Sequence, residues 1–322
     1  MKVSFCLFSY KQAAFVRDAL QSALAQDYSP LEIIVIDDGS PDGSADIIRA
    51  VLDAYDGPHA IKTLLKDRNR GFADSVNEAV YTLAEGTWLV FAAGDDIFEP
   101  DRVSNVVRVA QSDPRLTVIQ SGLRRFDSDN PAEGTSIPPR QVTLTASAIA
   151  GAHGAGASYR RAEQLRFPRM DLSVANEDRV MTTRALTLGA FGIVDSEDVH
   201  WRRHGENLSS GQTRTSRLDR AIFAHGRFLE IKNRALRQQI SDVTYACDHA
   251  MVTAEAAAPF FAEARAQYRR NANRSDFFLS LRDLPAAAKL AVSRPVTFVR
   301  QLAYFVYLMA RMTLADMRRR EG

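Results

Sequence analysis

Only two cysteines, Cys6 and Cys247, occur in 322 residues, and they lie far apart. That excludes a disulfide framework and a cysteine-based zinc site, and it suits a reducing compartment with both thiols as packing residues. Long hydrophobic runs are missing too. The longest approach to one, residues 301–310, is closed by Arg300 and Arg311, well short of the roughly 18–20 apolar residues that cross a bilayer. The first residues, MKVSFCLFSY, hold too short an apolar stretch for a secretory signal and run straight into a strand-like pattern, so a cytoplasmic protein is expected. Lysine is scarce, 6 against 35 arginines, and 39 acidic residues bring the formal net charge to only +2. No global field favours nucleic acid, and none is expected as a partner.

What is present is the composition of a packed globular protein. With 46% hydrophobic and 25% charged residues, disorder, collagen and coiled coil are all excluded. A chain of 322 residues exceeds one ordinary core and calls for a boundary. Residues 3–8 are apolar and β-prone, 13–25 carry apolar side chains at helical spacing, and 31–36 form a β-branched run with a single Glu, as in a strand covered on both faces. Helix, strand, helix and strand follow at 45–55, 61–65, 73–83 and 88–93. The alternation predicts an α/β domain with a mainly parallel sheet.

In such sheets ligands sit beyond the carboxyl ends of the strands. Two strands end there in acid pairs, Asp37–Asp38 and Asp95–Asp96. Carboxylates at a strand end cost desolvation and add no packing, which favours a ligand role over the capping that Asp and Gly perform elsewhere. After Asp127 comes a proline-rich loop, then a small-residue segment at 151–161, a helix at 180–188 opened by Asn176, Glu177 and Asp178, and a strand-like stretch ending near His204. From about residue 219 the pattern is almost wholly helical, so the boundary is placed near Thr213: one domain over 1–212 and a helical one over 213–322.

The segments SFCLFSYKQ, QDYSPLEIIVIDDGSPDGS, NRGFADSVNEA, WLVFAAGDDIFEPDR, NEDRVMTTRAL and HWRRHGENLS, in this order and spacing, resemble the family-2-like GT-A glycosyltransferases over roughly residues 1–212. The resemblance implies a GT-A fold and inverting sugar transfer from a nucleotide-diphosphate sugar, a UDP-sugar first among them, to a glycan or lipid-linked acceptor, assisted by Mn²⁺ or Mg²⁺. A diphosphate leaving group gathers negative charge as its bond breaks, and a hard cation held by a short acidic motif offsets it. The family's D-x-D motif falls on Ala93, Gly94 and Asp95, so the first acid is absent. Asp95 then takes the metal, and Asp96 is the candidate for the missing donor contact. Tyr10 and Asp38 match positions lining the nucleotide, with Asp37 and Ser40 supporting their loop, and Arg70 matches a position near the phosphates. Asp178 matches the general base, with Asp171 in reserve; Glu177 and His153 are acceptor-side candidates. His204 matches a metal-binding His, His200 being its competitor, and Arg202 and Arg203 could neutralise the diphosphate.

Two rival functions remain at this level. A nucleotidyltransferase would carry a glycine-rich, lysine-containing phosphate loop after the first strand, which SYKQAAF is not. A non-catalytic binding module is encouraged by Ala93 alone and opposed by Asp95, Asp178 and His204. Residues 264–322 hold twelve basic and four acidic residues, a net +8, which leaves −6 for residues 1–263. Within this tail the aromatic and aliphatic run Phe298, Val299, Leu302, Tyr304 to Met309 is flanked by arginines. It reads either as an interfacial helix on anionic lipid, making the protein peripheral to the membrane, or as a bundle packed on the catalytic domain or on a second copy in a homo-oligomer.

Overall fold

The computed structural model describes residues 1–322 apart from 128–129, 150–152, 205–217, 281–289, 291–292, 295 and 303–322, and the side chains of 218–227 and 276–280. The expected boundary at Thr213 and the tail residues Tyr304 to Met309 lie outside the described residues.

Three strands and two helices open the chain: β1 (Val3–Ser9), α1 (Val16–Leu24), β2 (Leu31–Asp37), α2 (Ser44–Asp53) and β3 (Ala60–Leu65). All seven residues of β1 and of β2 are buried, the pattern of strands covered on both faces. Helix α1 lays Val16, Ala19, Leu20 and Ala23 against this sheet. The Glu in β2, Glu32, is tolerated because it is fully solvated by protein: burial pushes its carboxyl up, but the Ser4 hydroxyl, the Glu85 N–H, Lys62 and Lys2 outweigh that and hold it at about 2. This network lies at the end of the sheet opposite the acid pairs.

Next come α3 (Phe72–Glu78), β4 (Trp88–Ala93), β5 (Ile97–Phe98), α4 (Arg102–Ser112) and β6 (Leu116–Phe126). The helix expected over 73–83 gives way after Glu78 to a π-helical turn, Ala79–Leu83. In that turn the Tyr81 hydroxyl lies 3.0–3.2 Å from the carbonyls of Gln164, Phe167 and Pro168. Strand β6, eleven residues long, carries no clean alternation because nearly all of it is buried, and the sequence pattern did not reveal it.

The remaining elements are β7 (Thr135–Ile137), α5 (Ala146–Ile149), β8 (Ala157–Arg160), α6 (Arg161–Gln164), α7 (Glu177–Leu188), β9 (Ala190–Arg202), α8 (Leu218–Asp248) and α9 (Ala254–Ser280). The strands form one sheet in the order β3-β2-β1-β4-β8-β6-β9-β5, with β7 on β6. The β3-β2-β1-β4 half is parallel, as the alternation predicts; β8 enters antiparallel between β4 and β6.

Two compact units result. The first comprises Met1–Asn207 together with Arg234–Ala264, so part of the helical region beyond the expected boundary belongs to the sheet's own unit. Its main tie is buried: the Arg184 guanidinium of α7 meets the Asp242 carboxylate of α8, both 1% exposed, with Nε to Oδ2 at 2.7 Å. The second unit comprises Leu208–Asn233 and Arg265–Gly322, where Asn233 Nδ2 donates to the Tyr268 carbonyl. Among the described residues no helix is long and apolar enough to cross a membrane.

Candidate active site

Parallel strands in register deliver their following residues to one edge. Ser9 pairs with Asp37 and Phe8 with Ala93, and the loops begin side by side: Asp38 N–H donates to Ser9 O at 3.0 Å and Gly94 N–H to Phe8 O at 2.8 Å. Tyr10, Asp38 and Asp95 therefore open onto the same edge.

The Asp37–Asp38 pair is divided in role. Asp37 accepts from the Ser40 amide and hydroxyl at 2.8 and 2.7 Å, and Ser40 Oγ accepts the Lys11 N–H at 2.9 Å, which supports the loop as expected. Asp38 reaches the next loop, taking Lys66 Nζ at 2.8 Å and the Arg70 and Gly71 amides at 3.1 and 2.9 Å. A carboxylate offers about four acceptor positions, so three are already filled and one remains for a ligand. Lys66, buried and shared with Asp74 at 2.8 Å and Ser75 at 2.7 Å, was not anticipated, because a lysine just after a strand carries no signal of its own. The Arg70 side chain is half exposed and turned to Asp74 Oδ1 at 3.1 Å. Gly39, at φ +71°, has the Arg68 backbone where a Cβ would stand, 2.3 Å from its carbonyl carbon, so the close approach of these loops requires glycine. The Tyr10 ring is half-buried, with Lys11 Nζ 5.4 Å from its centroid.

At the end of β4, Asp95 Oδ2 and His204 Nε2 converge to 2.9 Å, with side chains 11% and 16% exposed. His200, the competitor, is held instead by Glu99 at 2.6 Å. Asp96 turns inward: it is 1% exposed and its Oδ1 accepts the Arg202 N–H at 3.0 Å, while Arg202 Nε donates to the Asp95 carbonyl at 3.1 Å. These reciprocal bonds tie the end of β9 to the Asp95 turn and set His204, two residues on, against Asp95. Burial, and then the charge of Asp95, push the Asp96 carboxyl well up. The position expected to replace the missing acid toward the donor thus faces the interior. Arg202, expected near the diphosphate, is packed between the rings of Phe15 and Phe126, 5.0 and 4.8 Å from their centroids. Phe15 also lies under the His204 ring, with centroids 4.5 Å apart. The role of Phe15 was not legible, since its partners Arg202 and His204 stand nearly 190 residues away in the chain. Arg203 lies over Trp201.

Among the described residues no cluster of three or more His, Cys, Asp or Glu forms a full ligand set. Two ligands nevertheless fit Mg²⁺ or Mn²⁺, because these ions keep waters and take substrate phosphates for the rest of their shell. Asp95 Oδ2 and His204 Nε2 are held adjacent by a 2.9 Å hydrogen bond, so both would be at hand for such an ion.

On the other side of the edge stands the N-terminus of α7. Helix-dipole stabilisation alone would leave Asp178 a weak base. Here burial pushes its carboxyl up, although Arg179 pulls the other way. Burial and the neighbouring Asp178 charge push Glu177 up further, to about 8. Asp178 Oδ1 accepts the Arg179 N–H at 2.8 Å. Gly154 packs directly on it: a Cβ there would stand 2.8 Å from Asp178 Cβ and 3.2 Å from Oδ2. His153 precedes that glycine, half-buried, its imidazole pushed down by burial and by Arg140. The turn is pinned to β4 through Arg102, whose Nη2 donates to Phe91 O at 2.7 Å and Ala155 O at 3.1 Å. Because β8 pairs antiparallel with β4, Val90 against Ser158 and Trp88 against Arg160, the turn before β8 that packs on Asp178 lies toward the end of β4 that Asp95 follows. Asp171, the reserve base, is exposed and its carboxyl is held low by Ser173, with Arg234 and Arg237 adding to this.

The solved structures of similar shape include S. aureus TarS 1-349 in complex with UDP-GlcNAc, with a TM-score of 0.54 at 20% identity over 88% of this chain and 92% of that one. Mannosyltransferase PcManGT from Pyrobaculum calidifontis, in complex with GDP-Man and Mn²⁺, gives 0.53 at 17% identity over 98% of this chain and 86% of that one. At such identities the likeness is one of fold, the GT-A fold that the resemblance implies. Among curated proteins, an uncharacterized glycosyltransferase of Nostoc sp. is 33% identical over 35% of this chain, and the succinoglycan biosynthesis protein ExoO of Rhizobium meliloti is 30% identical over 34%. The matched part spans about a third of those relatives, 34% and 30% of their lengths. The pattern described as glycosyl transferase family 2 matches residues 4–164, half of the sequence, and the chain belongs to that family.

Proposed function

We propose that the protein transfers a glycosyl group from a nucleotide-diphosphate sugar to an acceptor hydroxyl by a single inverting displacement assisted by Mn²⁺ or Mg²⁺. The observation that carries this reading is the placement at one sheet edge of a converging Asp95–His204 pair and, across the Gly154 turn, a carboxylate with a raised proton affinity. Asp95 and His204 would hold the cation, which when bound stabilises charge on the departing diphosphate. Tyr10 offers its ring to the base, and the remaining acceptor position of Asp38 faces the nucleotide. Asp178 takes the acceptor proton. Burial and the neighbouring Asp178 charge push the Glu177 carboxyl up to about 8, which favours Glu177 as the member of the pair that holds the proton. His153, neutral under the influence of burial and Arg140, can accept or donate a hydrogen bond to the acceptor.

TarS has been solved in complex with UDP-GlcNAc and PcManGT with GDP-Man, which makes these two the first donors to test. A UDP-sugar is the preferred reading, with a glycan or lipid-linked acceptor. In thermal-shift measurements with Mn²⁺, UDP-GlcNAc is expected to raise the melting temperature more than GDP-mannose. Occupancy at 100 Kd adds about 2.7 kcal/mol to stability. No shift with any UDP-, GDP-, dTDP- or CDP-sugar would overturn the donor reading.

A cytoplasmic protein working on lipid-linked acceptors would gain from contact with the membrane surface. Val296, Val299 and Leu302 in the second unit are 65%, 63% and 43% exposed at helical spacing, beside exposed Arg294 and Arg300. Each basic residue near an anionic surface contributes about 1 kcal/mol. The full chain should float with phosphatidylglycerol vesicles and not with phosphatidylcholine ones, and Val299→Asp should reduce recovery. Equal recovery in both lipids would leave packing on a second copy as the better account of this face.

A further inference from the structure

The helix bearing Glu177 and Asp178 has an unusually polar buried face: Thr182, Thr183, Arg184 and Thr187 are all at most 6% exposed. Apolar packing alone fixes the depth and rotation of such a helix poorly, so directional bonds must do it. They come from α8. Gln239, buried, donates from Nε2 to the Arg179 carbonyl at 3.1 Å and to the Thr183 hydroxyl at 2.8 Å. Asp242 accepts from Arg184 Nε at 2.7 Å and Nη2 at 3.3 Å. Arg184 donates further to the Tyr81 hydroxyl and the Pro168 carbonyl, both at 3.0 Å, and lies over the Phe167 ring. Gln238 completes the set, donating to Asp242 Oδ1 at 2.9 Å and accepting the Asp171 N–H at 3.2 Å. Arg179, whose carbonyl Gln239 holds, is the residue next to Asp178.

We propose that Gln239 and Asp242 are positioning residues for the acceptor-activating carboxylate. By gripping the first two turns of α7 they fix where Asp178 stands against Gly154, and how deeply it is buried. This rests on the reading of Asp178 as the base. The two residues act at overlapping levels of the helix, Gln239 at Arg179 and Thr183 and Asp242 at Arg184, so together they resist both sliding and rotation. Loss of the Gln239 bonds frees the end that carries the base while leaving the buried ion pair intact. A displacement of about 1 Å at a reacting group costs up to about 10²-fold in rate.

The test is Gln239→Leu, close in volume, in the full chain, with Asp242→Asn as a second variant. The assay is hydrolysis, in Mn²⁺, of the nucleotide sugar that raises the melting temperature most, water standing in for the acceptor. In Gln239→Leu, kcat is expected to fall about 10- to 100-fold with donor KM nearly unchanged, and the acid limb of the kcat–pH profile to move. Amide hydrogen exchange at residues 177–180 should speed up while that of β1 and β2 stays as in the parent; this readout needs no donor. Unchanged exchange at 177–180, or parental kcat with an unmoved acid limb, would overturn the positioning role. Asp178→Asn separates the two readings: if it retains turnover, the base assignment itself fails, whereas if it is inactive and Gln239→Leu is parental, only the positioning role does.

Discussion

Asp178→Asn should abolish sugar transfer while leaving donor binding intact. A positioned general base contributes typically 10²–10⁴-fold, and asparagine keeps the shape and the Arg179 N–H bond while removing the proton acceptor. The loss is expected in kcat, measured at saturating donor, with the Mn²⁺-dependent thermal shift by the donor preserved. The pH dependence supplies the sign. A base works when deprotonated, so the parental kcat should fall as pH drops through the Asp178 pKa, and burial shifts that limb upward. Because Glu177 and Asp178 share a helix start, the limb belongs to the pair, and a second inflection is expected as Glu177 ionises near 8. An Asp178→Asn variant with parental turnover and an unchanged limb would move the base elsewhere. Asp171 is then poorly placed to replace it, since Ser173 holds its carboxyl low and it stands exposed.

Asp95→Ala should remove the metal requirement along with most of the rate. A cation on a departing diphosphate supplies several kcal/mol of stabilisation, and each 1.36 kcal/mol is tenfold, so a loss of about 10³-fold is expected. The independent readout is Mn²⁺ binding followed by electron paramagnetic resonance in the presence of UDP, which should weaken in parallel. His204→Ala is expected to do less, because water can take a vacated position on ions that keep several waters. Full Mn²⁺ affinity in Asp95→Ala would place the cation elsewhere. Ala93 bears on the donor rather than on the cation: the first acid of the motif is absent, and Asp96 does not face outward to replace its donor contact.

Some of this site was legible and some was not. The β-branched run ending in Asp37–Asp38 and the apolar run ending before Asp95–Asp96 announced both the strands and the edge at which the acids gather, since an apolar run and its acidic end are local properties. The opening of α7 by Asn176, Glu177 and Asp178 was equally local. The inward turn of Asp96 was not, because it depends on an N–H 106 positions away, supplied only once β9 returns beside β5. Lys66 is silent in the sequence for the same reason: its burial follows from Asp38 and Asp74 closing over it. The helical periodicity of 234–264 places these residues beyond the expected boundary, whereas they cluster with the sheet's own unit. Periodicity reports that a helix has a buried face, not what covers it, and Asp242 finds Arg184 across 58 positions.

The sequence by itself determined the order of strands and helices as far as β4, the edge where acids gather and the identity of Asp95, Asp178 and His204 as candidates. Hydrophobic period and strand-end chemistry act within a few residues of each other. The tertiary structure alone decided which His meets Asp95, that Asp178 keeps a raised proton affinity despite its helix start, and that α8 holds the helix beneath it. Desolvation and hydrogen-bond direction are properties of the packed chain, and they exist only when distant segments close around one another.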